Sequence, residues 1–344
     1  MALIPFTKPH LSIPDQIALL RARGMVIDDD ALATRCLERF GYYRLSGYWH
    51  PMRQSRILAD QNGMRTEILD NFRPGARLSH AVDLCVFDKR LKLLMTDGIE
   101  RIEVALRVDI AHLLGARDPW AHQNPGELHG NFSRLRADGG SNHQDWLERL
   151  ETVEVRSKED YVKHFKGRYS SPLPIWMSIE LWEFGTLSVF LSGLKVSDQQ
   201  TLAAKYGLPR WELLSSWARS LNHIRNICAH HSRLWNRSPS DQPKPTRVGE
   251  IPVLDHLAQN AFAQTRLYGV AAITQALLRS ISPNSNWHER LKALVATFPV
   301  APGVTFQPTG FPVGWENLPL WPPFVAPVVV AEDPDVEAEQ DGEV

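Results

Sequence analysis

Apolar residues along the chain recur at helical spacing far more often than at alternate positions. From Leu78 to Leu114 the residues Val82, Val86, Leu91, Leu94, Ile99, Ile102, Leu106 and Ile110 trace one stripe, which predicts a long helix with one buried face. Gly98 is a candidate break within it. Ahead of it, "IPDQIALLRARG" places Pro14 and Asp15 in a first turn and stops at Gly24, the usual asymmetry of helix ends. "DDDALATRCLERFG" repeats the scheme, with acids first, then Leu32, Cys36, Leu37 and Phe40 at helical spacing, then Gly41. The aromatic residues of "GYYRLSGYWHPM" are too dense for a solvated loop, and we read the segment as a packed helical turn rather than a base-stacking platform.

Residues 57–75 read as a loop or short hairpin and 115–141 as irregular, because both are rich in Gly, Pro and polar residues. Further helices are expected at 142–155, 159–167, 174–192, 198–206, 210–234, 254–280 and 286–298. Beyond Pro299 prolines dominate, and Trp315, Leu320, Trp321 and Phe324 suggest an extended strap docked on the body, since a disordered tail rarely carries so many large apolar groups. The last dozen residues are expected to be disordered. The economical reading is an all-α chain divided into an N-terminal helical extension (1–75), a helical domain (76–298), and a Pro-rich strap with an acidic tail (299–344).

Composition narrows the class. A hydrophobic share of 43% and a charged share of 22% over 344 residues belong to a soluble globular protein. No apolar run approaches the roughly 20 residues needed to span a bilayer. No membrane partner is therefore expected. The start lacks a basic end followed by an apolar stretch. Cys36, Cys85 and Cys228 are scattered in apolar periodic segments, as expected for reduced thiols in a cytoplasmic protein. The formal charge of −1 conceals seven acids in the last fourteen residues, without which it becomes +6. A mildly basic body permits an anionic partner without demanding one.

The candidate chemistry lies in "LNHIRNICAHHSRLWNR", Leu221 to Arg237. On an ideal helix, at about 100° per residue, Asn222, His223, Arg225, Asn226, His230 and Arg233 fill one polar arc. Leu221, Ile224, Ile227, Cys228 and Leu234 fill the other side. His231 projects into the apolar side, where a buried structural histidine is the common outcome. Arg225 lies about 140° from His230, so it must reach round or act across an interface.

No Asp or Glu occurs from Leu213 to Ser240, which disfavours a metal site and a local Ser-His-Asp arrangement. Metal-independent RNA cleavage fits better. Histidine can take a proton from a ribose 2′-hydroxyl or give one to a leaving oxygen, Arg can stabilise charge on the phosphorane, and Asn can orient either. Nearby carboxylates would repel the phosphodiester, which accounts for their absence from the stretch. The bland alternative is a basic helix end that merely complements its own dipole.

"RNICAHHSRLWNR" resembles the signature of the Abi-like proteins of bacterial abortive infection, a branch of the HEPN superfamily. "FGYYRLSGYWHPMR", "VFDKRLKLLMTDGIERIEVALR", "PLPIWMSIELWEFGTLSVFLSGL" and "SWARSLNHIRNICAHHSRLWNR" are similar to successive blocks of that family, over about residues 12 to 280. The resemblance implies an all-α HEPN helical bundle and a ribonuclease motif R-x(4–6)-H, matched by Arg225, Asn226 and His230, with no metal or other cofactor. It implies a homodimer that pairs two motifs, an RNA substrate, and in some members an associated non-coding RNA. His231, Arg233, His223 and Asn222 are secondary RNA-binding candidates. Glu100, Arg101, Glu103, Arg107 and Arg44 read as scaffold. A non-catalytic RNA-binding or regulatory module, and a nucleotide-binding role, remain as rivals.

Overall fold

In a computed structural model, residues 9–60 and 63–323 are described, together with Pro5 and Thr7. Phe324 and the acidic tail fall outside them. The described residues are mostly α-helical, as expected, with one small sheet among them as the exception.

Three helices open the chain: α1 (Ile13–Ala22), α2 (Asp30–Phe40) and α3 (Tyr42–Trp49). Ser12 and Asp29 cap the first two by accepting from the backbone N–H of Asp15 and Leu32. The expected hairpin then forms from β1 (Arg53–Asp60) and β2 (Gly63–Phe72), paired antiparallel with Ile57 opposite Thr66.

The predicted long helix is α4 (Leu78–Gly115), 38 residues and about 57 Å in length. The single-turn α5 (Gly130–Ser133) precedes α6 (Asn142–Arg156), α7 (Asp160–Arg168) and a second single turn, α8 (Ile175–Ser178). There follow α9 (Phe184–Gly193), α10 (Val196–Lys205) and α11 (Trp211–Ala229). The single turns α12 (Asp255–Ala258) and α13 (Ala261–Gln264) lead to α14 (Leu267–Ile281) and α15 (Trp287–Ala296).

Around α4 pack α3, α8, α9, α10, α11, α14 and α15. Buried side chains from Ile17 to Trp321 form one apolar cluster that includes Trp49, Trp182, Trp217, Trp235, Trp287 and Trp321. The strap is docked as expected: Trp315, Leu320 and Trp321 are buried, and Trp321 donates its indole N–H to Tyr268 Oη at 3.1 Å. Cys36, Cys85 and Cys228 are free thiols. Burial pushes the Cys228 thiol up to about 12, which removes it as a nucleophile beside the motif. No described helix is long and apolar enough to cross a membrane.

Three expectations about helix continuity fail for physical reasons. Gly98 does not interrupt α4. It is there because a Cβ would sit 2.8 Å from Trp287 Nε1 and 2.9 Å from Thr274 Cγ2, where the Trp287 indole donates to the Leu94 carbonyl at 2.7 Å. The helix expected at 174–192 breaks at Trp182, whose carbonyl accepts from Arg107 Nη2 of α4 at 2.7 Å instead of continuing the helical ladder. The helix expected at 254–280 is three pieces, and the Asn260 side chain caps the middle one by accepting from the backbone N–H of Ala263.

Gly98→Ala should therefore destabilise the protein by roughly 1–3 kcal/mol through overpacking, read as a lower denaturant midpoint with unchanged helical circular dichroism. An unchanged or raised midpoint would mean that α14 and α15 do not approach α4 this closely.

Candidate functional site

The motif helix α11 buries Leu213, Leu214, Trp217, Leu221, Ile224, Ile227 and Cys228. It ends at Ala229, five residues before the expected boundary. His230 is the C-cap, and its backbone N–H still donates to the Asn226 carbonyl at 2.9 Å. His231 then turns into the left-handed region with φ 55°. Its N–H donates to the Cys228 carbonyl at 3.1 Å and the Ser232 N–H to the Ile227 carbonyl at 3.0 Å, the paired bonds of a Schellman end. Glycine usually holds that position, and a residue with a Cβ costs of order 1–3 kcal/mol there. Something else must hold the turn.

That something is a buried carboxylate. Asp88 of α4 is 0% exposed. It accepts the backbone N–H of Leu234 at 3.1 Å and of Trp235 at 2.7 Å, and the Tyr48 hydroxyl of α3 at 2.8 Å. Lys92, one helical turn on, lies 3.2 Å from Asp88 and donates to the Ser232 carbonyl at 3.1 Å. From α3, Arg44 donates to the His231 carbonyl at 2.9 Å, and Arg233 reaches back to the Gly47 carbonyl. The turn from His231 to Trp235 is thus gripped by α3 on one side and α4 on the other. With a negative charge and a positive charge buried side by side, each is compensated by the other and by peptide groups. Desolvation and the Asp88 charge push the Tyr48 hydroxyl far up, so it stays a donor.

This geometry corrects the helical-wheel picture at two points. His231 is exposed, because the helix has ended and the residue follows the turn outward. Arg233 leaves the polar arc to brace α3.

The remaining candidates stay on α11. Arg225 Nη1 donates to Asn226 Oδ1 at 3.3 Å. Asn222 is partly buried, with its amide 3.5 Å from where a Gly185 Cβ would stand. His223 Nε2 lies 3.2 Å from Ser240 Oγ and its Nδ1 lies 3.7 Å from Asp241, which ties it to the following loop. His230 is exposed, and among the described residues its imidazole has no hydrogen-bond partner. Arg225, Asn226 and His230 therefore sit together at the C-terminal end of one helix, with the imidazole exposed.

The motif is not free of carboxylates in space. Asp88 lies behind the turn, Asp241 beside His223, and Glu103 of α4 close enough to Arg225 to feel its charge. Burial pushes the Glu103 carboxyl up, opposed by Arg107 and Arg225, and Glu103 pairs with Arg107 at 2.5 Å. Because Asp88 and Glu103 come from α4, well over a hundred residues from the motif, the local composition of 213–240 cannot reveal them. Asp88 does leave a trace in the sequence. It stands between Leu84 and Leu91 on the buried stripe of α4, and a carboxylate at such a position needs dedicated partners.

The described site lies within a stretch, residues 35–236, that matches the family described as Abi-like protein. The chain belongs to the Abi-like protein family. The match is narrower than the resemblance at 12–280, and it takes in α3, the Asp88–Lys92 pair and the whole turn. Membership of the Abi-like family suggests a protein of abortive infection. No curated protein and no solved structure matches the chain.

Asp88→Ala should cost about 3–5 kcal/mol, since it strands the Lys92 charge in the interior. Chemical denaturation measures this, with Asp88→Asn, which keeps an acceptor, expected to lose less. A cost under about 1 kcal/mol for the alanine variant would show that the turn is held by other means.

Proposed function

We propose that this Abi-like protein is a metal-independent endoribonuclease built on a HEPN-type bundle and working as a homodimer. The observation that carries the reading is the exposed, unpartnered imidazole of His230 at the end of α11, next to Arg225 and Asn226. His230 takes the proton of a ribose 2′-hydroxyl or returns one to the 5′-oxygen that leaves. The 2′-oxygen attacks the adjacent phosphorus, the P–O5′ bond breaks, and the products are a 2′,3′-cyclic phosphate and a 5′-hydroxyl. Arg225 neutralises the charge that gathers on the phosphorane, with Asn226 holding the guanidinium. Arg225 points about 140° away from His230 around the helix, so the second copy's motif completes the pair. Asn222, His223, His231 and Arg233 position or brace this surface.

RNA incubated in EDTA should be cut by the wild type, and His230→Ala or Arg225→Ala should lower the rate about 100-fold or more. Cleavage abolished by EDTA, or unchanged in both variants, contradicts the proposal. Salt-sensitive RNA binding with no product would instead assign a binding module.

A further inference from the structure

Between α6, α9 and α11 lies an open cleft of about 400 Å³. Its floor includes Phe132 and Trp146. Gly193 makes room for the first, since a Cβ there would stand 2.4 Å from the Phe132 ring. The Trp146 indole is fixed by donation to the Thr186 carbonyl at 3.1 Å. Asn131, Asn142, Arg149 and Arg219 also line it, with the Asn142 side-chain oxygen already accepting from Arg136 Nη1 at 3.0 Å. Both arginines are exposed. Among the described residues neither forms a hydrogen bond or an ion pair. The one carboxylate among the lining residues, Asp145, is held by Arg136 at 2.8 and 3.1 Å and also feels the Arg149 charge, so Arg219 is the cleft's less compensated cation. Free guanidinium groups over an apolar floor with amides are what a nucleotide needs: charge for phosphate, carbonyl and N–H groups for a base edge.

The cleft is in line with the nuclease motif. Arg219 and His230 are eleven residues apart on α11, which places them about 16 Å apart along the axis and about 20° apart around it. Asn222, His223 and Asn226 lie between them on the same face. We infer that the cleft is a substrate subsite, which holds one nucleotide of a single-stranded RNA whose scissile phosphate lies at His230, with Arg149 and Arg219 gripping its phosphodiester. This rests on the nuclease reading for its geometry and adds a minimum length to the substrate.

The test measures binding by the full-length His230→Ala protein, with and without Arg149→Ala and Arg219→Ala together. One probe is a labelled single-stranded oligoribonucleotide long enough to span from His230 to the cleft, and the other is a dinucleotide too short to do so. The double substitution should weaken the long probe at least about tenfold and reduce the slope of log affinity against log salt by about 0.7, the loss for one neutralised phosphate on a single strand. The dinucleotide, which can occupy either the cleft or the His230 end but not both, should be weakened less than the long probe. Arg219→Lys should keep most of the affinity.

Unchanged affinity for the long probe overturns the subsite, even if the wild type cleaves RNA. Equal weakening of both probes overturns it too, because the effect then does not depend on reach. A polyglutamate peptide that displaces the long probe at equal charge would reassign the cleft to an acidic protein partner. If the arginines matter as expected but the wild type never cleaves, the nuclease reading fails and the RNA subsite stands.

Discussion

A single carboxylate with no access to water organises this molecule. Asp88 sits in the first third of the longest described helix, and its two oxygens take up the backbone N–H groups of Leu234 and Trp235, the Tyr48 hydroxyl and the Lys92 ammonium. An ionised group in the interior is tolerable only when its partners replace the water it has lost. Here those partners come from three separate stretches of chain, so satisfying the charge brings the stretches together. The price in desolvation is turned into a fixed turn.

The consequences run outward from that turn. Because Leu234 and Trp235 are held, the chain leaves α11 at Ala229 and His231 accepts a left-handed backbone that a residue other than glycine avoids. His230 is then left at the helix end with its ring free, while Arg44 and Arg233 bind the turn to α3. Behind it, Trp235 packs on Phe298 at 5.6 Å between ring centres, and Phe298 on Phe87 at 5.1 Å. Phe306 of the C-terminal strap packs on Phe298 at 5.0 Å and so supports the same place that α3 and α4 grip. Backbone strain at a solvent-facing histidine, sustained by a dry ionic anchor, is the sort of arrangement that functional sites retain.

Much of the fold was legible because it rests on periodicity. The stripe of α4 and the apolar face of α11 are local patterns, and the tryptophans of the strap betrayed its docking by size alone. What was not legible depends on contacts distant in sequence. Nothing in "CAHHSRLW" marks the end of α11, for His231 takes the place where glycine would have signalled it. The break at Trp182 is made by Arg107, seventy-five residues earlier. Gly98 read as a flaw in a helix, although its role is to admit Trp287. At the site, Arg225, Asn226 and His230 stood out as a run of polar residues, whereas Glu103 was read only as scaffold and Asp88 was assigned to no role, since both lie on another helix. The similarity blocks pointed to the right segments without saying that three of them meet at one turn.

The most direct measurement is hydrogen exchange at single residues around that turn. If Asp88 holds it as described, the amides of Leu234 and Trp235 exchange as slowly as the buried middle of α4, while the solvent-facing amides beside them exchange quickly. Rapid exchange at Leu234 and Trp235 with α4 still protected would contradict the account, because the turn presenting His230 would then be free of its anchor.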